Sequence, residues 1–242
     1  MNCRLCGAEA ESAFRLSVMG KYDVGYFRCV RCGSLQTEEP YWLDEAYTAD
    51  VPEEDAAYLS RNLEVARHVK LMLHLFGVPK SATVVDFGGG LGIVARLLAE
   101  SGWTTFVHDK FTTSPFPGMK WTGTERADFI LASEVFEHLP NPAQDLEEVF
   151  RLQPRFVYVR TTRYRHEGPD WFYLAPETGQ HVFFFTDEAM RMLASQYDYH
   201  VTLPTSEDAV FSKAPLGPIR GLGLKTVLSR KLRRLKLAAA GV

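Results

Sequence analysis

The segment VVDFGGGLGIVARLLAESG, residues 84–102, decides the fold. Val84 and Val85 belong to an apolar strand that Asp86 closes, and a run of glycines follows directly. Beyond this run, apolar residues recur at helical spacing: Ile93, Val94, Leu97 and Leu98. Glycine at a strand–helix turn lets the backbone pass close to a ligand. The segment therefore predicts a buried strand, a ligand-binding turn and an amphipathic helix.

The spacing of the glycines indicates which ligand the turn holds. A dinucleotide fingerprint requires G-x-G-x-x-G, and Ile93 stands where its third glycine belongs. The spacing found is D-x-G-x-G-x-G, formed by Asp86, Gly88, Gly90 and Gly92. It resembles the first motif of class I S-adenosylmethionine (SAM) methyltransferases. In that family the acid and the glycines face the amino-acid end and the ribose of the cofactor, which implies SAM as the cofactor here.

Further strands and helices follow in alternation. TTFVHD reads as a strand that ends at Asp109, an acid able to accept both ribose hydroxyls of either NAD or SAM. ADFILAS is a buried strand, and the EVFEHL that follows it, with Glu134 and His138, is frequent in the same family. The alternation predicts an α/β fold: a Rossmann-like class I methyltransferase sheet with helices on both faces. Since ligands bind at the carboxyl ends of such strands, Asp109 and Glu134 are predicted to contact the cofactor.

All four cysteines lie in two C-x-x-C pairs, Cys3 with Cys6 and Cys29 with Cys32. Each pair suits half of a tetrahedral zinc shell, and the two together complete a four-sulfur site. Such a shell is closed, so we expect structural rather than catalytic zinc, in a small N-terminal zinc-ribbon module.

Two histidines stand where proton transfer is expected. His138 follows the fourth core strand, and His181 lies in the aromatic-rich segment WFYLAPETGQHVFFFT. The arrangement resembles deoxysugar C-methyltransferases, which have a four-cysteine region, this core and an H-E-H-x-x-Y-F-S segment. That resemblance places His181 as the catalytic base and His138 as a second active-site histidine. Gln180 replaces the glutamate of the family segment, and these 242 residues do not include the large C-terminal domain of that family, so both O- and C-methylation stay open.

Composition bounds the remaining possibilities. The net charge is −3, and residues 211–242 contain eight basic residues and no acid, so the preceding chain is acidic. This disfavours a nucleic-acid substrate. We expect three regions: a zinc ribbon at 1–40, a SAM-dependent methyltransferase domain at 41–213, and a basic amphipathic tail at 214–242. The tail is a candidate for peripheral membrane contact, and we expect a cytoplasmic protein.

The expected activity is methyl transfer from SAM to a sugar, a nucleotide-sugar or a glycan-like small molecule, with a histidine as general base. Two alternatives stay open. One is a zinc-module rRNA or tRNA methyltransferase, and the other is a non-catalytic protein that kept the fold and binds SAM.

Overall fold

The computed structural model describes residues 1–48, 58–123 and 126–239, with side chains described up to residue 228. These residues form two compact units. The first comprises Met1–Asp55, Glu134–Leu152 and Arg160–Asp198, and the second comprises Ala56–Ser133, Gln153–Val159 and Tyr199–Val242. Within the described ranges, no helix is long and apolar enough to cross a membrane.

The strands, in chain order, are β1 (Ala10–Val18), β2 (Tyr22–Cys29), β3 (Leu35–Thr37), β4 (Thr83–Phe87), β5 (Thr104–His108), β6 (Phe129–Ser133), β7 (Phe156–Arg160), β8 (Phe183–Phe184), β9 (His200–Thr202) and β10 (Asp208–Ser212). The α-helices are α1 (Leu43–Thr48), α2 (Tyr58–Leu75), α3 (Ile93–Glu100), α4 (Pro142–Arg151), α5 (Asp187–Gln196) and α6 (Pro218–Ala239). Short 3-10 helices lie at Phe136–His138 and Phe172–Leu174.

The second unit is built on a six-stranded sheet with the order β5-β4-β6-β7-β10-β9. Strand β4 lies parallel to both β5 and β6, with Asp86 opposite Val107 on one side and Leu131 on the other. Strands β9 and β10 pair antiparallel. The predicted Rossmann-like α/β sheet is thus confirmed, and the strand that ends in the glycine turn lies inside the sheet.

Apolar burial explains why the sequence of the second unit folds this way. Val84 and Val85 are buried on β4, as expected for a strand covered on both faces. The apolar face of the helix after the glycines places Leu98 in a core to which α2 and β7 also contribute. Phe76 and Phe156 stack in this core with ring centroids 4.7 Å apart. Full burial of each such side chain contributes roughly 1.5–3 kcal/mol.

The first unit contains a four-stranded sheet with the order β1-β2-β3-β8. Strand β8, at Phe183–Phe184, pairs with β3 through Leu35 and Gln36, so the cysteine region shares its sheet with a distant part of the chain. The Arg4 guanidinium donates hydrogen bonds to the carbonyl groups of Thr37 and Val182 at this junction. The boundary expected near residue 40 stays a prediction.

The basic tail begins as helix α6. Leu224 and Leu228 of this helix are buried in the core of the second unit, where α6 packs against α2. The first turns of the tail therefore have an intramolecular partner. Contact of the remaining tail with a membrane stays a prediction, because the side chains beyond residue 228 lie outside the described part.

Candidate active site

The glycine turn follows β4 in the second unit, as predicted. Gly88, Gly90 and Gly92 have φ angles of 68°, 54° and 79°, in the left-handed region that favours glycine. A Cβ atom on Gly92 would come within 2.6 Å of Val107 Cγ2, and one on Gly89 within 2.6 Å of Asp86 Cγ. The turn thus requires glycine both for its dihedral angles and for its close packing.

Asp86 lies at the end of β4 with a side chain that is 3% exposed. Burial raises the pKa of this carboxyl group to about 7, Asp109 adds to the shift, and a hydrogen bond from the Ala95 backbone opposes it. Its Oδ2 atom is buried and has no hydrogen-bond partner among the described residues. An unsatisfied buried acceptor is costly unless a ligand donates to it. This orphaned oxygen beside a glycine turn fits a bound cofactor with N–H or O–H donors.

Asp109, just after β5, lies beside the same turn. Its Oδ2 atom accepts a hydrogen bond of 2.8 Å from the Gly90 amide. Its Oδ1 atom accepts from the amides of Phe111 and Thr112 at 2.9 and 2.7 Å. These three bonds hold the carboxylate firmly and leave about one of its four acceptor positions for a ribose hydroxyl. The bidentate ribose contact stays a prediction. For Asp109 to accept both ribose hydroxyls, at least one of these amide hydrogen bonds would have to be replaced by a hydroxyl.

Tyr58, the first residue of α2, also lies at the glycine turn. Its hydroxyl is 3.6 Å from the position that a Cβ on Gly90 would take. Burial raises the pKa of Tyr58, and the nearby carboxylates of Asp86 and Asp109 add to this shift. The turn is therefore flanked by two carboxylates and one phenol, all within the second unit.

His138 and His181 meet in the first unit, with ring centroids 4.8 Å apart. The Nδ1 atom of His181 lies 2.7 Å from the carbonyl oxygen of Tyr173. Because a carbonyl oxygen only accepts, Nδ1 carries the proton, and the Nε2 atom of the neutral ring presents a lone pair. This is the tautomer that a general base at Nε2 requires.

His138 has a different environment. Burial and the neighbouring His181 lower its pKa to about 3, so the ring is neutral at physiological pH. Its Nδ1 atom lies 3.3 Å from the hydroxyl of Tyr47, at the end of α1. Gln180, which replaces the family glutamate, donates a 2.9 Å hydrogen bond from its side-chain amide to the Ala46 carbonyl. The substituted position therefore anchors the helix that carries Tyr47.

A polar network that is buried at Glu137, Tyr173 and Arg160 and partly exposed at Glu134 adjoins the two histidines in the same unit. The Tyr173 hydroxyl lies 2.6 Å from Glu137 Oε1 and 3.1 Å from Glu134 Oε2, with one proton to share between two carboxylates. Arg160 Nε donates to Glu134 at 3.1 Å. Burial, and then the charge of Glu137, raise the pKa of Glu134 to about 7. Glu134 thus joins this network within the first unit, and its predicted cofactor contact stays a prediction.

Sequence reasoning missed Glu137 and Tyr173 as members of the site. Glu137 is fully buried, and its Oε2 atom has no hydrogen-bond partner among the described residues. A carboxylate directly before a candidate histidine, in a segment otherwise apolar, was the available signal. For Tyr173 the sequence offered only its place in an aromatic run.

The four cysteines come together at the N-terminal end of the first unit. Their sulfur atoms all lie within 4.8 Å of one another, with Cys3 and Cys32 at 3.7 Å and Cys6 and Cys29 at 3.5 Å. In a tetrahedral zinc shell with Zn–S bonds of about 2.3 Å, the sulfur atoms are about 3.8 Å apart. Gly7 and Gly33 follow the two pairs with φ angles of 72° and 70°. The donor set and its spacing fit a structural zinc ion.

A comparison with protein families identifies the family of residues 58–203. Residues 58–203 match the family described as "Methyltransferase domain", which is more than half of the chain. The chain therefore belongs to the methyltransferase-domain family, and the protein is a SAM-dependent methyltransferase. No curated protein matches the chain in sequence.

Solved methyltransferase structures resemble the chain at low sequence identity. The plantazolicin methyltransferase BpumL, in complex with a monoazolic desmethylPZN analog and SAH, is 12% identical over 79% of this chain and 87% of that one, with a TM-score of 0.51. CalO1, a methyltransferase in calicheamicin biosynthesis, is 16% identical over 71% of this chain, with a TM-score of 0.43. This chain covers 61% of the length of CalO1. Magnesium protoporphyrin IX methyltransferase from Synechocystis PCC 6803 is 11% identical over 72% of this chain and 95% of that one, with a TM-score of 0.45.

Proposed function

We propose that this methyltransferase acts on a hydroxyl group or an acidic carbon of a sugar, a nucleotide-sugar or a glycan-like small molecule, with His181 as the general base. The observation that carries the proposal is the hydrogen bond between His181 Nδ1 and the Tyr173 carbonyl. It fixes the tautomer whose Nε2 atom can take a proton from the acceptor.

The cofactor and the base have separate tasks in this account. SAM supplies an electrophilic methyl group on a positively charged sulfur atom. The glycine turn and the carboxyl groups of Asp86 and Asp109 would hold it, since the turn permits close backbone approach and Asp86 has an unsatisfied oxygen. His181 would remove the proton of the acceptor oxygen or carbon as that atom takes the methyl group that SAM would supply.

His138 supports His181 rather than replacing it. A ring with a pKa of about 3 is a weak proton acceptor at neutral pH, so His138 is a poor general base. Its contacts with Tyr47 and with the ring of His181 instead hold these side chains together. We therefore assign the base to His181 and a positioning role to His138.

Aromatic side chains around His181 favour a sugar-like acceptor. The rings of Tyr173 and Phe184 lie 4.8 and 6.3 Å from the His181 ring, and Trp171 packs against both of these aromatic residues. Phe172 is 79% exposed on the same 3-10 helix. Tyr173 and Phe184 are themselves buried. The aromatic faces available to an acceptor are therefore those of Trp171 and Phe172, on which the apolar face of a sugar ring can pack.

The four-cysteine cluster is proposed to hold structural zinc. Sulfur spacings of 3.5 and 3.7 Å agree with a tetrahedral shell and leave no open position for a substrate. Zinc there would stabilise the antiparallel sheet that also contains β8, the strand two residues after His181.

The test is an assay of S-adenosylhomocysteine formation with a panel of nucleotide-sugars, free sugars and glycans, and with structured RNA as comparison. We expect turnover with a sugar-containing acceptor, and a loss of at least about 100-fold in kcat for His181→Asn with unchanged cofactor affinity. His200→Asn, at an exposed histidine of β9, is the matched control and should retain full activity. Turnover only with RNA, or a fully active His181→Asn variant, would overturn the proposal.

A further inference from the structure

The side chains of Glu137, His138 and His181 converge, and the proposed methyl transfer assigns no role to Glu137. One ligand atom from each of them lies within 4.8 Å of the other two. Around a zinc ion with bonds of about 2.1 Å, tetrahedral ligand atoms are about 3.4 Å apart. To bind one zinc ion these ligand atoms would move closer together, and neither histidine is fully buried.

The outer hydrogen bonds of a metal site are already in place. Metal-bound histidines usually donate their other ring N–H to a carbonyl or carboxylate group. His181 does so from Nδ1 to the Tyr173 carbonyl at 2.7 Å, which leaves Nε2 for a metal. The hydroxyl of the same Tyr173 orients Glu137 through Oε1 at 2.6 Å. One residue therefore orients two of the three ligands.

The third observation is the unsatisfied oxygen of Glu137. Its side chain is 0% exposed, and Oε2 has no hydrogen-bond partner among the described residues. A buried carboxylate without compensation is destabilising, and a cation is an effective partner for it. The nearby guanidinium of Arg160 donates from Nε to Glu134.

We propose that Glu137, His138 and His181 form a binding site for a divalent transition metal, with zinc the best match, and that metal bound there inhibits the enzyme. Two imidazole nitrogens and one carboxylate oxygen are a typical zinc donor set with a fourth position left open. Binding at Nε2 of His181 excludes proton transfer to the same atom. The inhibition rests on the function proposed above, whereas metal binding does not.

The test measures zinc uptake directly, without acceptor or turnover. The full-length protein, with its zinc content first determined as isolated, is dialysed against micromolar zinc and measured by elemental analysis. We expect wild type and His200→Asn to take up one zinc per chain more than His181→Asn. Glu137→Gln, which keeps the acceptor for Tyr173 but removes the charge, should bind this zinc at least about 10-fold more weakly.

Two results separate this proposal from the proposed function. Equal zinc uptake by wild type, His181→Asn and Glu137→Gln overturns the metal site, whatever the acceptor assay shows. Greater uptake by wild type without turnover on any sugar supports the metal site and rejects the proposed function. With an active acceptor, micromolar zinc should lower the rate of methyl transfer. A chelator too weak to remove zinc from the four cysteines should restore this rate. A rate that does not change when zinc is bound would overturn the proposed inhibition.

Discussion

The Nδ1 atom of His181 donates a 2.7 Å hydrogen bond to the carbonyl oxygen of Tyr173, which lies eight positions earlier in the sequence. This bond sets the tautomer of the ring and directs Nε2 away from the carbonyl group. The hydroxyl of the same tyrosine binds Glu137. Tyr173 therefore links a buried carboxylate to the proposed base through its side chain and its backbone.

Replacement of Tyr173 by phenylalanine should destabilise the protein more than replacement of Tyr164. The Tyr173 hydroxyl donates to Oε1 of the fully buried Glu137, whereas the Tyr164 hydroxyl donates to the backbone carbonyl of Glu167 at 3.1 Å. We expect a loss of about 2–3 kcal/mol for Tyr173→Phe and about 1 kcal/mol for Tyr164→Phe, measured by denaturant unfolding. Equal losses of unfolding free energy in the two variants would contradict a larger contribution of the Tyr173–Glu137 hydrogen bond to stability.

Asp86→Asn should change how stability depends on pH. Burial raises the pKa of Asp86 to about 7 in the folded protein, from an ordinary value of 3.8. Between these pH values the unfolded chain has released a proton that the folded chain keeps, so the wild type loses stability as pH rises from about 4 to 7. The asparagine variant lacks this loss.

The melting temperature of Asp86→Asn, relative to wild type, should therefore rise between pH 5 and pH 8, by roughly 3–8 °C. Differential scanning calorimetry at both pH values measures this change. Asp128→Asn, at a partly exposed carboxylate before β6, serves as control. A constant difference between Asp86→Asn and wild type across this range would contradict the buried, protonated carboxyl.

Gly92→Ala and Gly102→Ala separate close packing from backbone strain. Both glycines have positive φ angles, 79° and 87°, so alanine is strained at each by about 1 kcal/mol. Only at Gly92 does the added Cβ meet another atom, Val107 Cγ2, at 2.6 Å, whereas nothing lies within 4 Å at Gly102. We expect Gly92→Ala to cost about 2 kcal/mol more in urea unfolding. Similar unfolding midpoints for the two variants would contradict the tight packing of the turn.

Loss of zinc should accompany the reaction of the cysteines. In the purified protein, we expect one tightly bound zinc ion to be released as all four thiols react with a thiol reagent. Simultaneous measurement of zinc release and thiol modification tests this coupling. Reaction of all four thiols without release of zinc would contradict a four-cysteine zinc site.

Local patterns in the sequence predicted the features that depend on neighbouring residues. The strand, the glycines and the helix of residues 84–102 follow from short-range spacing, and so does the pairing of cysteines within each C-x-x-C turn. Glu137 and Tyr173 meet across 36 positions, so no short window contains their contact. The same holds for Gln180, whose bond to Ala46 depends on how α1 packs rather than on its own segment.

The most direct test of the account is a calorimetric titration of the purified protein with SAM, with S-adenosylhomocysteine and, in parallel, with NAD. The glycine spacing predicts one binding site for SAM and its demethylated product and none for NAD, and Asp86 and Asp109 are expected to contact the bound cofactor. Binding of NAD, or of none of the three, would contradict the assignment of this turn to SAM.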